Sequence, residues 1–427
     1  MYPLDPMAAL KGTTGPWKTF AVLSLILIVC SAEESWLVNR DTQTLYKILG
    51  DINQYNVVVR PRGNQTDPDA GLLPITMNMF VRSISDFSDD TMDYKMQITL
   101  RREWRDERLV FDMKSGKTHI TLQNDQLIWK PDTFFSNEIE GHFHDITQPN
   151  VLVRVFPDGR IMHSLRLTMT LACPMNLENY PFDRQICSVV LVSYAHTTED
   201  IIYKWSEDNP LQVSRNLHIR KFNLVGFFNT TCHSRTRTGS YSCLRADFAY
   251  ERVPHTTMIK VFIPCAMLVL LSWIPLWLNP KATLLRFLVP LLVLLAMANA
   301  VNTLNQHHIP QTGYVKSVDV WTGTCLTFVF AMLLEVTTVD YVLRVYRKDQ
   351  DNSPLNTGDE LAVSHTLEIA DGKTDASKAP THRSTFSNWL TRRRSAVEWI
   401  DLVSRVIFPA AFVLFVIIYR CCYTSHE

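Results

Sequence analysis

CPMNLENYPFDRQIC, Cys173 to Cys187, carries two cysteines and a central Pro181-Phe182-Asp183, and the sequence on both sides of it has strand character. Residues 74 to 250 alternate with period two, as in Tyr94, Met96, Ile98 and Leu100 against Lys95, Gln97, Thr99 and Arg101. Such segments recur between turn signals such as Pro157-Asp158-Gly159. That is the pattern of an antiparallel all-β sandwich. Before it lies a short amphipathic stretch, Leu45 to Leu49.

Further out, the composition changes sharply. Of 427 residues 46% are hydrophobic, and the long apolar runs fall late in the chain. Four segments have the length and composition of membrane spans: Ile259 to Leu278, Phe287 to Leu304, Val320 to Val342 and Ile400 to Tyr419. In the other direction, Lys11 and Lys18 precede the apolar run Phe20 to Val29 and the small residues Cys30-Ser31-Ala32, which reads as a secretory leader ending near residue 32. The alternative is a short anchor, but about ten apolar residues do not cross a ~30 Å core.

A secreted start places residues 33–255 outside the cell. Two glycosylation sequons, at Asn64 and Asn229, agree with that placement. Removal of Cys30 leaves Cys173, Cys187, Cys232 and Cys243 in this part, enough for two disulfides in an oxidising space. Residues 256–343 hold the first three spans. Residues 344–395 form a cytoplasmic loop, polar and largely disordered by composition, with a helix expected near Phe386 to Glu398. The last span occupies 396–420, and an extracellular tail, 421–427, follows. Arg344, Arg347, Lys348 and Arg392 to Arg394 flank the loop as the positive-inside rule requires. The expected location is the plasma membrane, multi-pass, with both termini outside.

The chain carries 42 basic and 42 acidic residues, so no basic excess points to nucleic acid. No phosphate loop, metal quartet or nucleophile-base motif appears either. The reading is therefore of a protein that is not an enzyme and uses no cofactor.

The second apolar segment differs from the other three. On a helix, Leu288, Leu292, Leu295, Asn299, Asn302 and Gln306 form one stripe, apolar at one end and polar at the other. Asparagines facing hydrocarbon cost several kcal/mol unless they meet water or a partner. The stripe therefore lines an aqueous path or binds helices together. Two histidine pairs also stand out. His142 and His144 share one strand face, and His307 and His308 sit at the outer end of the second segment; both read as surface residues first and as weak zinc or proton sites second.

The Cys173–Cys187 element resembles the signature loop of the Cys-loop receptor superfamily, the pentameric ligand-gated ion channels. WKPDTFFSNE (Trp129 to Glu138), Trp104 in REWRDERL, YVKSVDVW (Tyr314 to Trp321) and IDLVSRVIFP (Ile400 to Pro409) are similar to the glycine-, GABA- and glutamate-gated chloride branch. The resemblance runs from about residue 36 to 419, outside the cytoplasmic loop. It implies an extracellular β-sandwich over a four-helix transmembrane bundle, pairing of Cys173 with Cys187 and of Cys232 with Cys243, and four further subunits in the bilayer, alike or different. A small agonist would bind at subunit interfaces. Tyr180, Pro181, Phe182 and Asp183 would couple binding to the pore.

The same resemblance assigns Phe135, Tyr194 and Tyr241 to an aromatic agonist box, with Thr238 on the capping loop. Arg101 and Ser164 would grip a carboxylate from the neighbouring subunit. Here the sequence departs from its relatives, because Val192-Ser193 stands where glycine-type receptors carry an acid before the binding aromatic. The partner for an α-amine is missing, so an acid, a larger amine or an amphiphile is expected in place of a simple amino acid.

In the pore, the stretch Asn279 to Arg286 contains no carboxylate, and Arg286 with Lys281 implies a cationic inner mouth and chloride as the permeant ion. The branch normally has Pro-Ala before this arginine, where this chain has Leu284-Leu285. Leu288, Leu292 and Leu295 would make three apolar rings, with Leu295 as the gate, and Pro290 either bends the helix or marks a later start. A receptor that conducts only in a heteromer or not at all, and a cation channel, are the competing readings.

Overall fold

The computed structural model describes residues 40–51, 54–62, 71–114, 116–122, 124–279, 282–307, 309–351 and 382–424. The expected leader, the sequon at Asn64, Lys281, His308, most of the cytoplasmic loop and residues 425–427 lie outside them. The chain divides into two compact units: one ends at Pro174 and resumes over Ile186–Tyr250, and the other comprises Met175–Gln185 and the chain from Glu251 onward. The loop between Cys173 and Cys187 therefore packs with the second unit, although both cysteines belong to the first.

The first unit is a sandwich. A helix at residues 40–50, anchored by buried Leu45 and Leu49, precedes it. Its larger sheet has eight strands: β1 (Leu73–Ser88), β2 (Asp93–Val110), β3 (Ile120–Leu122), β5 (Glu138–Phe143), β6 (Val151–Val155), β7 (Asp158–Ala172), β9 (Ile201–Trp205) and β10 (Leu211–Val213). The order β10-β1-β2-β7-β6-β3 forms its spine, with β5 added to β7 and β9 to β1. The second sheet runs β11-β12-β8-β4, from β4 (Thr133–Phe135), β8 (Arg184–Ser193), β11 (Phe222–Thr236) and β12 (Gly239–Arg252).

The alternation in β2 sets which face is core. Tyr94, Met96, Ile98 and Leu100 are buried, while Lys95, Gln97 and Arg101 point outward. Thr99 also lies on the outward face but is covered, because Arg82 Nε donates to its hydroxyl at 2.7 Å. Phe87, Tyr94, Phe222 and Tyr250 pack with ring centroids 4.7 to 6.3 Å apart. Each such ring contributes roughly 1.5–3 kcal/mol by leaving water. At the β6–β7 turn Gly159 has φ +80°, and a Cβ there would come within 2.5 Å of Asp106 O, so the position needs glycine. Both disulfides, Cys173–Cys187 and Cys232–Cys243, are formed. By chain entropy a loop of the first one's length contributes on the order of 3 kcal/mol.

Among the described residues, the second unit contains four helices long and apolar enough to cross a membrane. The first, His255–Trp277, includes one π-helical turn at Met258–Phe262. The second is Thr283–His307, so Pro290 lies inside it and does not mark its start. The third is Ser317–Asp351. The fourth, His382–Thr424, extends the predicted helix at 386–398 directly into the last span. Leu276, Met332 and Val336 form a buried core flanked by Trp273 and Phe408. A ladder of rings, Phe262, Trp321, Phe412, Phe415 and Tyr419, fastens the fourth helix to the first and third.

Candidate functional site

Three groups of predicted residues can now be placed. In the first unit, Tyr194 follows β8 and is 75% exposed, and its ring meets that of Phe134 edge-on at 5.6 Å. Phe135, predicted for this box, is only 6% exposed and faces the sandwich interior, because neighbouring strand residues point to opposite faces. Phe134 was thus missed by sequence reasoning. The double aromatic in β4 was visible, but not which ring faces out. The capping tip between Cys232 and Cys243 places Thr238 Oγ1 2.7 Å from Tyr241 OH. A backbone bond, Thr198 N to Ser240 O at 2.9 Å, ties this tip to the loop that carries Tyr194.

No acid precedes Tyr194 in sequence, yet one lies beneath it in space. Asp132 accepts from Ser193 Oγ at 2.9 Å and from His196 N at 3.3 Å, and its carbonyl accepts from Tyr194 N. The carboxylate is engaged in holding the loop.

Arg101 and Ser164 are direct cross-strand partners of β2 and β7, both on the outward face of the large sheet. Arg101 Nη1 donates to Asn78 Oδ1 at 2.9 Å, which fixes the guanidinium. Arg82 stands on the same face, with its guanidinium 5.6 Å from the Phe80 ring centroid. It is a second cation that motif reading overlooked. His142 and His144 are 5.5 Å apart by ring centroid, as their spacing predicts. His144 Nε2 lies 2.7 Å from Thr168 Oγ1, and burial with nearby Arg166 lowers its pKa. Among the described residues no group of three or more potential metal ligands occurs.

The Cys173–Cys187 loop forms a polar clasp inside the second unit. Arg252 reaches both oxygens of Asp183, at 2.7 and 3.2 Å, and Gln185 Nε2 adds a bond at 2.6 Å. The Arg252 guanidinium also lies 4.8 Å over the Tyr180 ring. Leu177 N donates to Tyr314 OH at 2.9 Å, Ser317 N to Glu178 O at 2.8 Å, and Ser317 Oγ to Tyr180 O. Phe182 packs on Phe262 at 6.1 Å. The loop is thus wired to the start of the third helix and to the first.

On the second helix, Val293, Met297 and Leu304 are buried, whereas Leu288, Leu292, Leu295, Asn299, Asn302 and Gln306 are all exposed. Arg286 departs from its prediction. Its side chain is 2% exposed and pairs with Asp401 of the fourth helix at 2.7 Å, so it is a neutralised internal cation and not a free charge at a pore mouth. It lies on a helix face different from that of Leu288, and the expectation of a cationic mouth comes from its match to the family's arginine and not from the helical stripe.

The sequence matches the model for the neurotransmitter-gated ion-channel ligand binding domain over residues 42–259 and that for the neurotransmitter-gated ion-channel transmembrane region over 261–398. The chain belongs to the neurotransmitter-gated ion-channel family. It is 39% identical, over 91% of its length and 92% of the relative's, to a glutamate-gated chloride channel of Drosophila melanogaster. Membership makes it a multi-pass membrane protein of the pentameric ligand-gated channels and not an enzyme. In channels of this family, small-molecule agonists act on an extracellular unit and ions cross the membrane unit.

Proposed function

We propose that this chain is one of five subunits around a pore that conducts chloride when a small carboxylate-bearing ligand binds between neighbouring subunits in the plasma membrane. The observation that carries the reading is the second helix, one face packed inside the subunit and the opposite Leu288-to-Gln306 stripe left exposed. Asparagines on such a face require water, and five stripes around an axis supply it. The absence of any carboxylate between Asn279 and Arg286 and the chloride-channel relative support an anion.

For the ligand, Phe134, Tyr194, Thr238 and Tyr241 form the aromatic wall, and Phe135 backs it from the core. Arg101, Ser164 and Arg82 of the adjacent subunit offer donors to a carboxylate, for which a guanidinium is better suited than an ammonium. Asp132, the carboxylate beneath Tyr194, is engaged in holding the loop, which favours a ligand whose recognition is dominated by its acid end. Tyr180, Pro181, Phe182 and Asp183 transmit the change through the clasp. Asn229, exposed on β11, and Asn64 carry glycans on the extracellular side, where both termini lie. The three leucine rings favour a second reading, a subunit that conducts only beside other subunits with a more polar pore. Expression alone, with glutamate and then simple monocarboxylates as probes, separates the two: current from the lone subunit supports a homopentamer, and current only on co-expression supports the second.

A further inference from the structure

β11 is the end strand of the second sheet, and its middle is open to solvent: Phe227 and Phe228 are 42% and 46% exposed, and Asn229 and Thr230 are exposed too. Two contacts set the register there. Phe227 packs on Phe248 of β12 with ring centroids 6.3 Å apart, and Cys232 is bonded to Cys243. Five residues forward along β11 thus match five residues back along β12, so no extra residue interrupts the pairing between Phe227 and Cys232. In an uninterrupted strand alternate residues share a face, which puts Phe227, Asn229 and Thr231 on one side and Phe228 on the other. Trp205 of β9 steadies this backbone, its Nε1 donating to Thr230 O at 3.0 Å.

Asn229-Thr230-Thr231 is a glycosylation sequon, and Phe227 stands beside its acceptor on the same face. The first N-acetylglucosamine of an N-linked chain has one apolar face of C–H bonds, slightly positive, which suits the negative face of an aromatic ring. Phe227 has such a face, packed against Phe248 on one side and open in part on the other. We propose that Phe227 is a carbohydrate platform, on whose ring the first sugar of a glycan at Asn229 stacks. The inference rests on the extracellular placement of this unit. Attachment joins the Asn229 amide nitrogen to C1 of the sugar, breaks the bond from that carbon to its lipid diphosphate carrier, and passes an amide proton to the departing diphosphate. The stacked sugar covers an exposed apolar ring and the outer edge of β11, whose unpaired backbone groups would otherwise pair with another chain. It also steadies the root of the capping hairpin, since Asn229 lies three residues before Cys232.

The test is timed digestion with an amidase that releases N-linked glycans, on the full-length chain made in mammalian cells with Asn64→Gln, so that Asn229 holds the only sequon. Release from the native chain is expected to be at least fivefold slower with Phe227 in place than in Phe227→Leu, which keeps the apolar contact with Phe248 but has no ring face. Once both are denatured, the rates should be equal. Phe227→Trp is expected to stay slow, and Phe228→Leu, next to the same asparagine but on the opposite face, to leave the rate unchanged. Removing the glycan from the chain with Phe227 is expected to lower its unfolding temperature, and this measurement decides if Phe227→Leu does not fold. Equal native release with and without Phe227, an equal effect of Phe228→Leu, no fall in unfolding temperature, or an unglycosylated Asn229 overturns the proposal. In the last case restoring Asn64 separates two failures: a glycan there leaves the extracellular placement standing, and none at either asparagine overturns that placement as well.

Discussion

Arg286 and Asp401 form an ion pair of 2.7 Å between the second and fourth helices, with both side chains almost completely buried. A buried pair is often no better than an apolar one, but breaking it strands a charge. Asp401→Asn is therefore expected to destabilise the protein by about 3–5 kcal/mol. Thermal unfolding in detergent measures this. The double variant Arg286→Met with Asp401→Leu is expected to recover most of the loss and to leave the reversal potential unchanged, because Arg286 contributes no free charge to the ion path.

Phe134 and Phe135 are predicted to behave oppositely. Phe134→Ala and Tyr194→Ala remove a half-buried and an exposed ring that face each other, so thermal stability should change little while the concentration of agonist needed for half-maximal current rises roughly thirty-fold, the size of a binding hot spot. Phe135→Ala opens a hole in the core and is expected to lower stability by about 3–5 kcal/mol. Paired unfolding and dose-response curves distinguish the two.

This pair also marks the boundary of what was legible in the sequence. The sandwich and the four spans follow from alternation and apolar length, because each is written in local periodicity, while the pairing of the two disulfides came from the family resemblance. Which of two adjacent phenylalanines faces out, and that Arg286 turns towards Asp401 over a hundred residues away, depend on strand register and helix rotation. Asp132 shows the same limit. Val192-Ser193 shows no acid beside Tyr194 in sequence, but the carboxylate that folds beneath it comes from the residue just before β4, distant in the chain.

The clasp of the signature loop predicts strong coupling between Asp183 and Arg252, since the carboxylate receives both guanidinium donors. In a double-mutant cycle with Asp183→Asn and Arg252→Gln, the single changes should each be severe and the double little worse, with an interaction energy in the range of about 0.5–3 kcal/mol. Agonist dose-response curves and unfolding curves both report it, and simple additivity would contradict the clasp.

His163 gives the first unit an acid-sensitive point. Its pKa falls from the ordinary 6.5 to about 3 because burial, and then Arg102, disfavour the charged ring. A depressed histidine takes up a proton on unfolding, so its contribution is present above pH 6.5 and is lost progressively as pH falls towards 3. Unfolding temperatures of the full chain between pH 7.5 and 4.5 are expected to fall more steeply for the wild type than for His163→Gln. Equal slopes would show that the histidine is not held neutral.

The ion path is tested most directly through Leu295. Replacing this exposed residue with threonine wets the apolar ring proposed as the gate and should give a standing current without agonist, which removes the identity of the ligand from the question. The measurement is the reversal potential of Leu295→Thr channels as external chloride is replaced by gluconate. The prediction is a reversal potential that follows the chloride equilibrium potential and ignores replacement of sodium by a large organic cation. A reversal potential that follows the cations and is blind to chloride would contradict the account.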